Sequence, residues 1–158
     1  MKTTMKTGIT LFMTMFLVMG LGATAATAEA VTTTTNENID WNRYVYIPCA
    51  GEWVYFEGTL HVMTHVITNE EGTRINTHYN PKGITGVGLT NGVTYHAVGV
   101  TKNNILYSDE KNTYNYVNNF KIISEGSAEN YKVHVNSMLV IENGTVTSYH
   151  ENYKVTCK

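Results

Sequence analysis

The chain has few charged residues and only two cysteines, and both shortages exclude classes of function. Charged residues make up 15% of its 158 residues, and no lysine- or arginine-rich run is interleaved with aromatics. Nucleic-acid-binding surfaces are usually basic, so we expect no nucleic-acid partner. Two isolated cysteines lack the paired spacing that structural zinc sites use, and we predict no metal site.

Sequence motifs of catalysis are also missing. There is no Gly-x-Ser-x-Gly motif and no glycine-rich phosphate loop leading into a helix. The glycine-rich stretch from Gly83 to Gly88 has the pattern of a strand instead. Glu52 and Glu57 are an odd number of residues apart on one predicted strand, so they face opposite sides and cannot form a carboxylate pair. We therefore assign no catalytic residue and expect no cofactor.

The first 28 residues have the pattern of a secretory signal peptide. A basic start precedes an apolar stretch from Gly8 to Leu21, and Ala26-Thr27-Ala28 fits the small-x-small cleavage rule. The apolar stretch is shorter than the ~20 residues of a membrane-spanning helix, although an uncleaved anchor is the alternative. We predict an exported protein, secreted or periplasmic, with no stable membrane span once residues 1–28 are removed.

The two cysteines, Cys49 and Cys157, flank most of the remaining chain. An exported protein meets an oxidising compartment, where an even number of cysteines favours pairing. Closing a loop of this size would stabilise the fold by about 5 kcal/mol in the chain-entropy description. We therefore predict a Cys49–Cys157 disulfide.

Alternation of apolar and polar residues predicts the fold class. From Arg43 onward the apolar pattern has period two almost everywhere, which indicates β-strands. Residues 29–42 are polar and threonine-rich without a period, so we predict a flexible leader before one β domain over residues 43–158. Eight or nine strands with short turns predict an antiparallel β-barrel of lipocalin-like size, or a β-sandwich.

Local features add detail to this prediction. In the long run from Glu52 to Thr68, the even positions form the better core face, and Gly58 is expected to mark a bulge or a bend. Asn91-Gly92 and Asn143-Gly144 are typical of two-residue hairpin turns. The first turn would place Tyr95 opposite a glycine, which suits a bent sheet with the tyrosine ring over that glycine. Close approach of another backbone or of a ligand is the alternative.

Histidines and aromatics supply the candidate binding residues. One face of the long strand carries aromatic side chains with polar tips, a combination that suits sugars or apolar small molecules. His61 and His65 share this face, but four residues span about 13 Å of strand, too far to bind one metal ion. The predicted ligand-binding residues are Trp53, Tyr55, His61, His65 and Tyr95. We hypothesise that all of them except Tyr55 line one cavity. Packing of this face under another segment is the alternative.

Several short stretches carry a resemblance to other proteins. They are Cys49, Gly51-Glu52, Gly58 to His61, Gly83 to Leu89, Gly99 to Thr101, Asn118 to Phe120, Asn143 to Thr147 and Cys157-Lys158. With these stretches the chain resembles an uncharacterised group of small secreted bacterial all-β proteins whose domain lies between two cysteines. The resemblance implies an exported, disulfide-closed β domain, and it implies neither an activity nor a catalytic residue.

The predicted function is that of an exported, non-catalytic binding or interaction protein. It would hold a small ligand in a barrel interior or on an aromatic face, with a small molecule or a surface glycan as partner. The oligomeric state is left open. One alternative is a small secreted barrel enzyme with a histidine acid or base, which two histidines converging in a pocket would favour. A structural cell-surface component is the other, and a filled barrel with an exposed apolar patch would favour interaction or assembly.

Overall fold

The computed structural model describes residues 29–158, and the predicted signal peptide lies outside them. These residues form seven strands and no helix. The strands are β1 (Val31–Ile47), β2 (Glu52–Asn69), β3 (Gly72–Gly88), β4 (Thr94–Tyr107), β5 (Lys111–Ser124), β6 (Tyr131–Glu142) and β7 (Thr145–Cys157). Within the described part of the chain no helix is long and apolar enough to cross a membrane.

The seven strands form one antiparallel sheet in which each strand pairs with its neighbours in the chain. β1 and β7 pair with one strand each, so the sheet is not closed into a barrel. The all-β, single-domain prediction is confirmed, and the architecture is an open sheet that curves around its core. We call the face that carries the core residues the inner face.

Seven long strands replace the eight or nine short ones expected, and a stretch that contains proline and glycine shows one reason. Pro81-Lys82-Gly83 lies within β3, and Pro81 still pairs with Leu60 of β2. Pairing of β3 with β4 is interrupted on the other side, between Tyr79 and Thr85. A proline has no backbone N–H to donate, so it is tolerated where the ladder on one side is already interrupted.

The polar segment predicted as a flexible leader is a strand from Val31 onward, and that prediction is wrong. Pairing with β2 is continuous from Val31 opposite Thr68 to Ile47 opposite Glu52. Nearly all side chains of β1 are exposed. Residues 31–38 of this edge strand are all exposed and show no apolar alternation, which explains why the sequence pattern did not reveal the strand there.

The β3–β4 connection is longer than the two-residue turn predicted at Asn91-Gly92. Val87 pairs with Thr94 and Gly86 with Tyr95, whereas a two-residue turn would set Tyr95 opposite a residue two positions later. A shift of two residues keeps every side chain on its face, so Tyr95 still lies opposite a glycine. The Tyr95 side chain is fully buried, which agrees with the packing interpretation of these glycines.

The core lies at one end of the sheet, where the β1–β2, β3–β4 and β5–β6 connections and the end of β7 meet. Its buried members come from six strands and are Ile47, Val54, Phe56, Ile84, Tyr95, Ala97, Ile122, Tyr131 and Val133. Burial of each large apolar side chain contributes about 1.5–3 kcal/mol. On β2 the buried positions are even, as the sequence predicts, and the ladder with β3 shifts register at Gly58.

The Cys49–Cys157 disulfide is present, with Cα atoms 5.5 Å apart. It joins the β1–β2 connection to the last residue of β7, so it brings the two edges of the sheet together at the core end. We call this the disulfide end. A bridge of this kind is compatible with an exported protein, since disulfides persist in oxidising compartments.

Candidate ligand cavity on the inner face

A cavity of about 480 Å³ lies on the inner face, next to the core. Side chains of five strands, β1 to β5, line it. Small-molecule sites in proteins typically measure about 300–1,000 Å³, so this cavity is large enough for a ligand of that class.

A bulge in β3, where Gly83 and Ile84 both lie opposite Gly58 of β2, positions the cavity. At Gly58, opposite Trp41 of β1, the β2–β3 ladder shifts register, and Gly58 has a φ of 152°. A Cβ atom there would lie 2.6 Å from the Ile84 Cα atom, so only glycine allows β3 to approach this closely. Bulges bend a strand and increase its twist. The bend leaves Trp41, Ile84 and Pro81 around the cavity.

The cavity lining changes from apolar to polar with distance from the disulfide end. Three successive inner-face pairs of β4 and β5 show this change: Gly99–Phe120, Thr101–Asn118 and Asn103–Tyr116. The Thr101 hydroxyl donates to the Asn118 Oδ1 atom at 3.1 Å. A ligand with an apolar part and a polar part would therefore find both kinds of contact.

Two tyrosines supply hydroxyl groups in the polar part of the cavity, Tyr79 on β3 and Tyr116 on β5. Burial raises the pKa of the Tyr116 hydroxyl, its hydrogen bond with Asn118 lowers it, and the nearby Tyr79 raises it further. The Tyr116 hydroxyl is therefore protonated at neutral pH and can donate a hydrogen bond to a ligand.

The β1 side of the cavity carries an arginine next to a tryptophan. The Arg43 Cζ atom lies 5.2 Å from the centre of the Trp41 ring, within the range of a cation–π contact. Sequence reasoning missed both residues, because Trp41 fell in the presumed leader and Arg43 at its boundary. The apolar residues at odd positions from Ile39 to Ile47, broken only by Arg43, are the signal that could have identified this inner face.

The structure does not bring the predicted site residues together. Trp53, Tyr55, His61 and His65 all lie on the outer face of β2, since they occupy its odd positions. Tyr95 lies on the inner face of β4 and is fully buried in the core. The hypothesis that Trp53, His61 and His65 line one cavity together with Tyr95 is therefore wrong.

The aromatic face of β2 continues onto β1 as an outer aromatic patch, formed by Tyr44, Tyr46, Trp53 and Tyr55. Ring centres are 4.9 Å apart in the Tyr44–Tyr55 pair and 5.4 Å apart in the Tyr46–Trp53 pair. Trp53 is 53% exposed, so no other part of residues 29–158 covers this face. These rings pair across strands, and the alternative of packing under another described segment does not apply.

The histidines of the long strand make local hydrogen bonds. His61 Nδ1 lies 3.3 Å from Asn38 Oδ1, and His65 Nδ1 lies 2.8 Å from Thr34 Oγ1. His65 is opposite Asn76 on β3 and His78 is opposite Met63, so His65 and His78 do not form a cross-strand pair. None of the six histidines lines the inner-face cavity.

A buried carboxylate in the core was also missed by sequence reasoning. Glu52 is only 3% exposed, and Tyr95 Oη donates to its Oε1 atom at 2.6 Å. The Asn91 side-chain amide donates to the same oxygen, so the buried carboxylate has two hydrogen-bond donors. The pattern placed Glu52 on the core face of β2, but its partners come from 39 and 43 residues away and have no local signal.

Comparison with known proteins supplies no relative for this chain. No protein-family model matches it, and neither curated proteins nor solved structures give a significant match. Any function must therefore be argued from its own geometry.

Proposed function

We propose that this chain is an exported, non-catalytic binding protein that holds a small ligand in the inner-face cavity. The observation that carries the proposal is the cavity itself, about 480 Å³ in volume, with apolar residues near the core and amide and hydroxyl groups beyond them. Small-ligand sites combine a mainly apolar wall with a few placed polar groups, and this lining has that composition.

Export is part of the proposal. The signal-peptide pattern of residues 1–28 predicts it, and the Cys49–Cys157 pair is compatible with an oxidising compartment. The compartment would be the periplasm or the medium. Membership of the secreted bacterial group that the sequence resembles stays a prediction.

Binding of a surface glycan at the outer aromatic patch is the second candidate. The patch presents two adjacent ring pairs to solvent, and exposed aromatic faces with polar tips suit stacking of sugars. Exposed Val87 and Leu89 add further apolar surface on neighbouring positions, which would also suit assembly at a cell surface.

A histidine-based enzyme has less support. General acid–base catalysis needs a histidine within reach of a bound substrate. His61 and His65 hydrogen-bond to neighbouring side chains on the outer face, and no histidine lines the cavity.

Native mass spectrometry of the exported, purified chain tests the proposal. A small molecule that remains bound under native conditions and is lost on denaturation would support it. The Thr101→Trp variant fills the cavity and should abolish the bound mass, whereas Trp53→Ala on the outer face should retain it. If the bound mass is lost in Trp53→Ala and retained in Thr101→Trp, the binding site is at the outer aromatic patch. A chain that neither carries nor takes up any small molecule would contradict the proposal.

A further inference from the structure

The residues that line the cavity carry positive charge and no negative charge. Arg43 is the only charged residue among those that line it. Its neighbours on the inner face are Trp41, Val45 and the cross-strand residue Phe56, none of which carries a charge. Among residues 29–158, no carboxylate lies within ion-pair distance of its guanidinium group.

This positive charge is local. The whole chain has a formal net charge of −2 at pH 7, so its overall charge does not attract anions. An anion attracted to Arg43 would therefore be held at the cavity and not spread over the surface, because screening limits charge attraction to about 8–10 Å at physiological ionic strength.

We propose that the cavity ligand is an amphipathic organic acid whose carboxylate pairs with Arg43 while its apolar part lies along Trp41 and the apolar lining. This inference rests on the proposed function, since it names the chemical class of ligand for the same cavity.

The geometry of the arginine favours a carboxylate. A guanidinium group offers parallel N–H donors that match the two oxygens of a carboxylate. The contact with the Trp41 ring, at 5.2 Å, limits the freedom of the Arg43 head group before a ligand arrives. A doubly charged phosphate would find no second cation, because no other basic residue lines the cavity.

The remaining lining favours an apolar ligand body over a sugar. Val45, Leu60, Ile84 and Phe120 form apolar walls toward the core. Burying a hydroxylated body against them would leave its hydroxyl groups without partners, which is unfavourable. The Thr101 hydroxyl already donates its hydrogen bond to the Asn118 Oδ1 atom.

A matched series of octanoate, 1-octanol and octylammonium tests the inference, because the three share one alkyl chain and differ in head group. Trp53→Phe leaves Trp41 as the sole tryptophan, so protection of its fluorescence from acrylamide reports occupancy of the cavity. We expect octanoate to bind about ten-fold or more tightly than 1-octanol, the scale of a charge-assisted hydrogen-bonded pair.

Variants at the two arginines of the chain separate a local effect from a change in net charge. Arg43→Gln should abolish the preference for octanoate, and Arg43→Lys should retain part of it. Arg74→Gln makes the same change in charge on β3, away from the lining, and should leave the preference unchanged. Thermal unfolding of each variant checks that the fold is retained.

Three results would overturn the inference while leaving the proposed function intact. They are equal binding of the three compounds, an octanoate preference that survives Arg43→Gln, and tighter binding of octylammonium than of octanoate. If none of the three compounds protects Trp41, both this inference and the binding function of the cavity are contradicted.

Discussion

At the scale of single residues, the buried Glu52 is the position where folding and charge are most closely connected. Its carboxylate is 3% exposed and accepts hydrogen bonds from Tyr95 and Asn91. A buried charge without partners is strongly unfavourable, so these donors are required for Glu52 to occupy the core. Gly88 has a related role, because a Cβ atom there would lie 2.4 Å from a Glu52 oxygen.

Replacing Tyr95 by phenylalanine should therefore destabilise the fold. The change keeps the buried ring but removes one donor to Glu52, and we expect a loss of about 1–3 kcal/mol in the free energy of unfolding. Urea unfolding at pH 7 measures it. Tyr46→Phe on the outer aromatic patch is the matched control, since it removes an exposed hydroxyl, and an equal loss in both variants would contradict this role.

Stability should also fall in alkaline solution. Burial, followed by the hydrogen bond to Glu52, raises the Tyr95 pKa above the ordinary value of 10.0. At a pH between 10.0 and the raised pKa, the unfolded chain has lost the tyrosine proton and the folded chain keeps it. Stability therefore decreases as pH rises above 10. In unfolding experiments across this pH range, the free energy of unfolding should decrease less steeply for the Tyr95→Phe variant than for the unsubstituted chain. An identical pH dependence would show that Tyr95 does not contribute.

At the scale of strands, the sequence predicts the regular parts of the sheet and misses its irregular parts. The Asn143-Gly144 turn is confirmed, with Glu142 opposite Thr145. An uninterrupted ladder from that turn predicts Ser137 opposite His150, but a bulge shifts the register by one residue. Side chains of β7 are nearly all exposed, so no apolar alternation indicated the slip.

The candidate site was missed for a related reason. The cavity depends on the bulge in β3 opposite Gly58 and on pairing across several strands, and the pairing has no local sequence signature. Gly58 was predicted to mark a bulge, and the register shift confirms it. The inner-face residues of β1 were not included, because the polar residues 31–38 led the segment that contains Trp41 to be predicted as a leader.

Substitution of Gly58 tests whether the bulge maintains the cavity. In Gly58→Ala the new Cβ would lie 2.6 Å from backbone atoms of β3, so we expect destabilisation of about 1–3 kcal/mol and weaker octanoate binding. Gly144→Ala in the β6–β7 turn is the control, because Gly144 also has a positive φ, of 75°, but has open space where its Cβ would stand and lies away from the bulge. Chemical unfolding and titration of both variants measure the two effects, and equal results would show that the bulge is not needed.

At the scale of the whole molecule, the number of strands explains why the sheet stays open. β1 and β7 are both odd-numbered strands of an antiparallel sheet and run in the same direction. To close the sheet into a barrel, β1 and β7 would have to pair in parallel. All other neighbouring strands in this sheet are antiparallel. The disulfide holds the two edges together at the core end instead.

Removing the disulfide should have a large effect on stability. The bridge joins residues 108 positions apart, so its loss should lower the free energy of unfolding by about 2–5 kcal/mol. Denaturation of the Cys49→Ser/Cys157→Ser variant measures this, and reductant should destabilise the unsubstituted chain without further effect on the variant. If the variant unfolds at the same denaturant concentration as the oxidised chain, the bridge does not support the fold.

The central claim is that a ligand binds on the inner face of the sheet. The two tryptophans of the chain test it, because Trp41 lines the cavity and Trp53 belongs to the outer aromatic patch. The most direct measurement is acrylamide quenching during an octanoate titration of the Trp53→Phe and Trp41→Phe variants. We predict saturable protection of Trp41 and none of Trp53. Protection of Trp53 alone, or of neither residue, would contradict the claim.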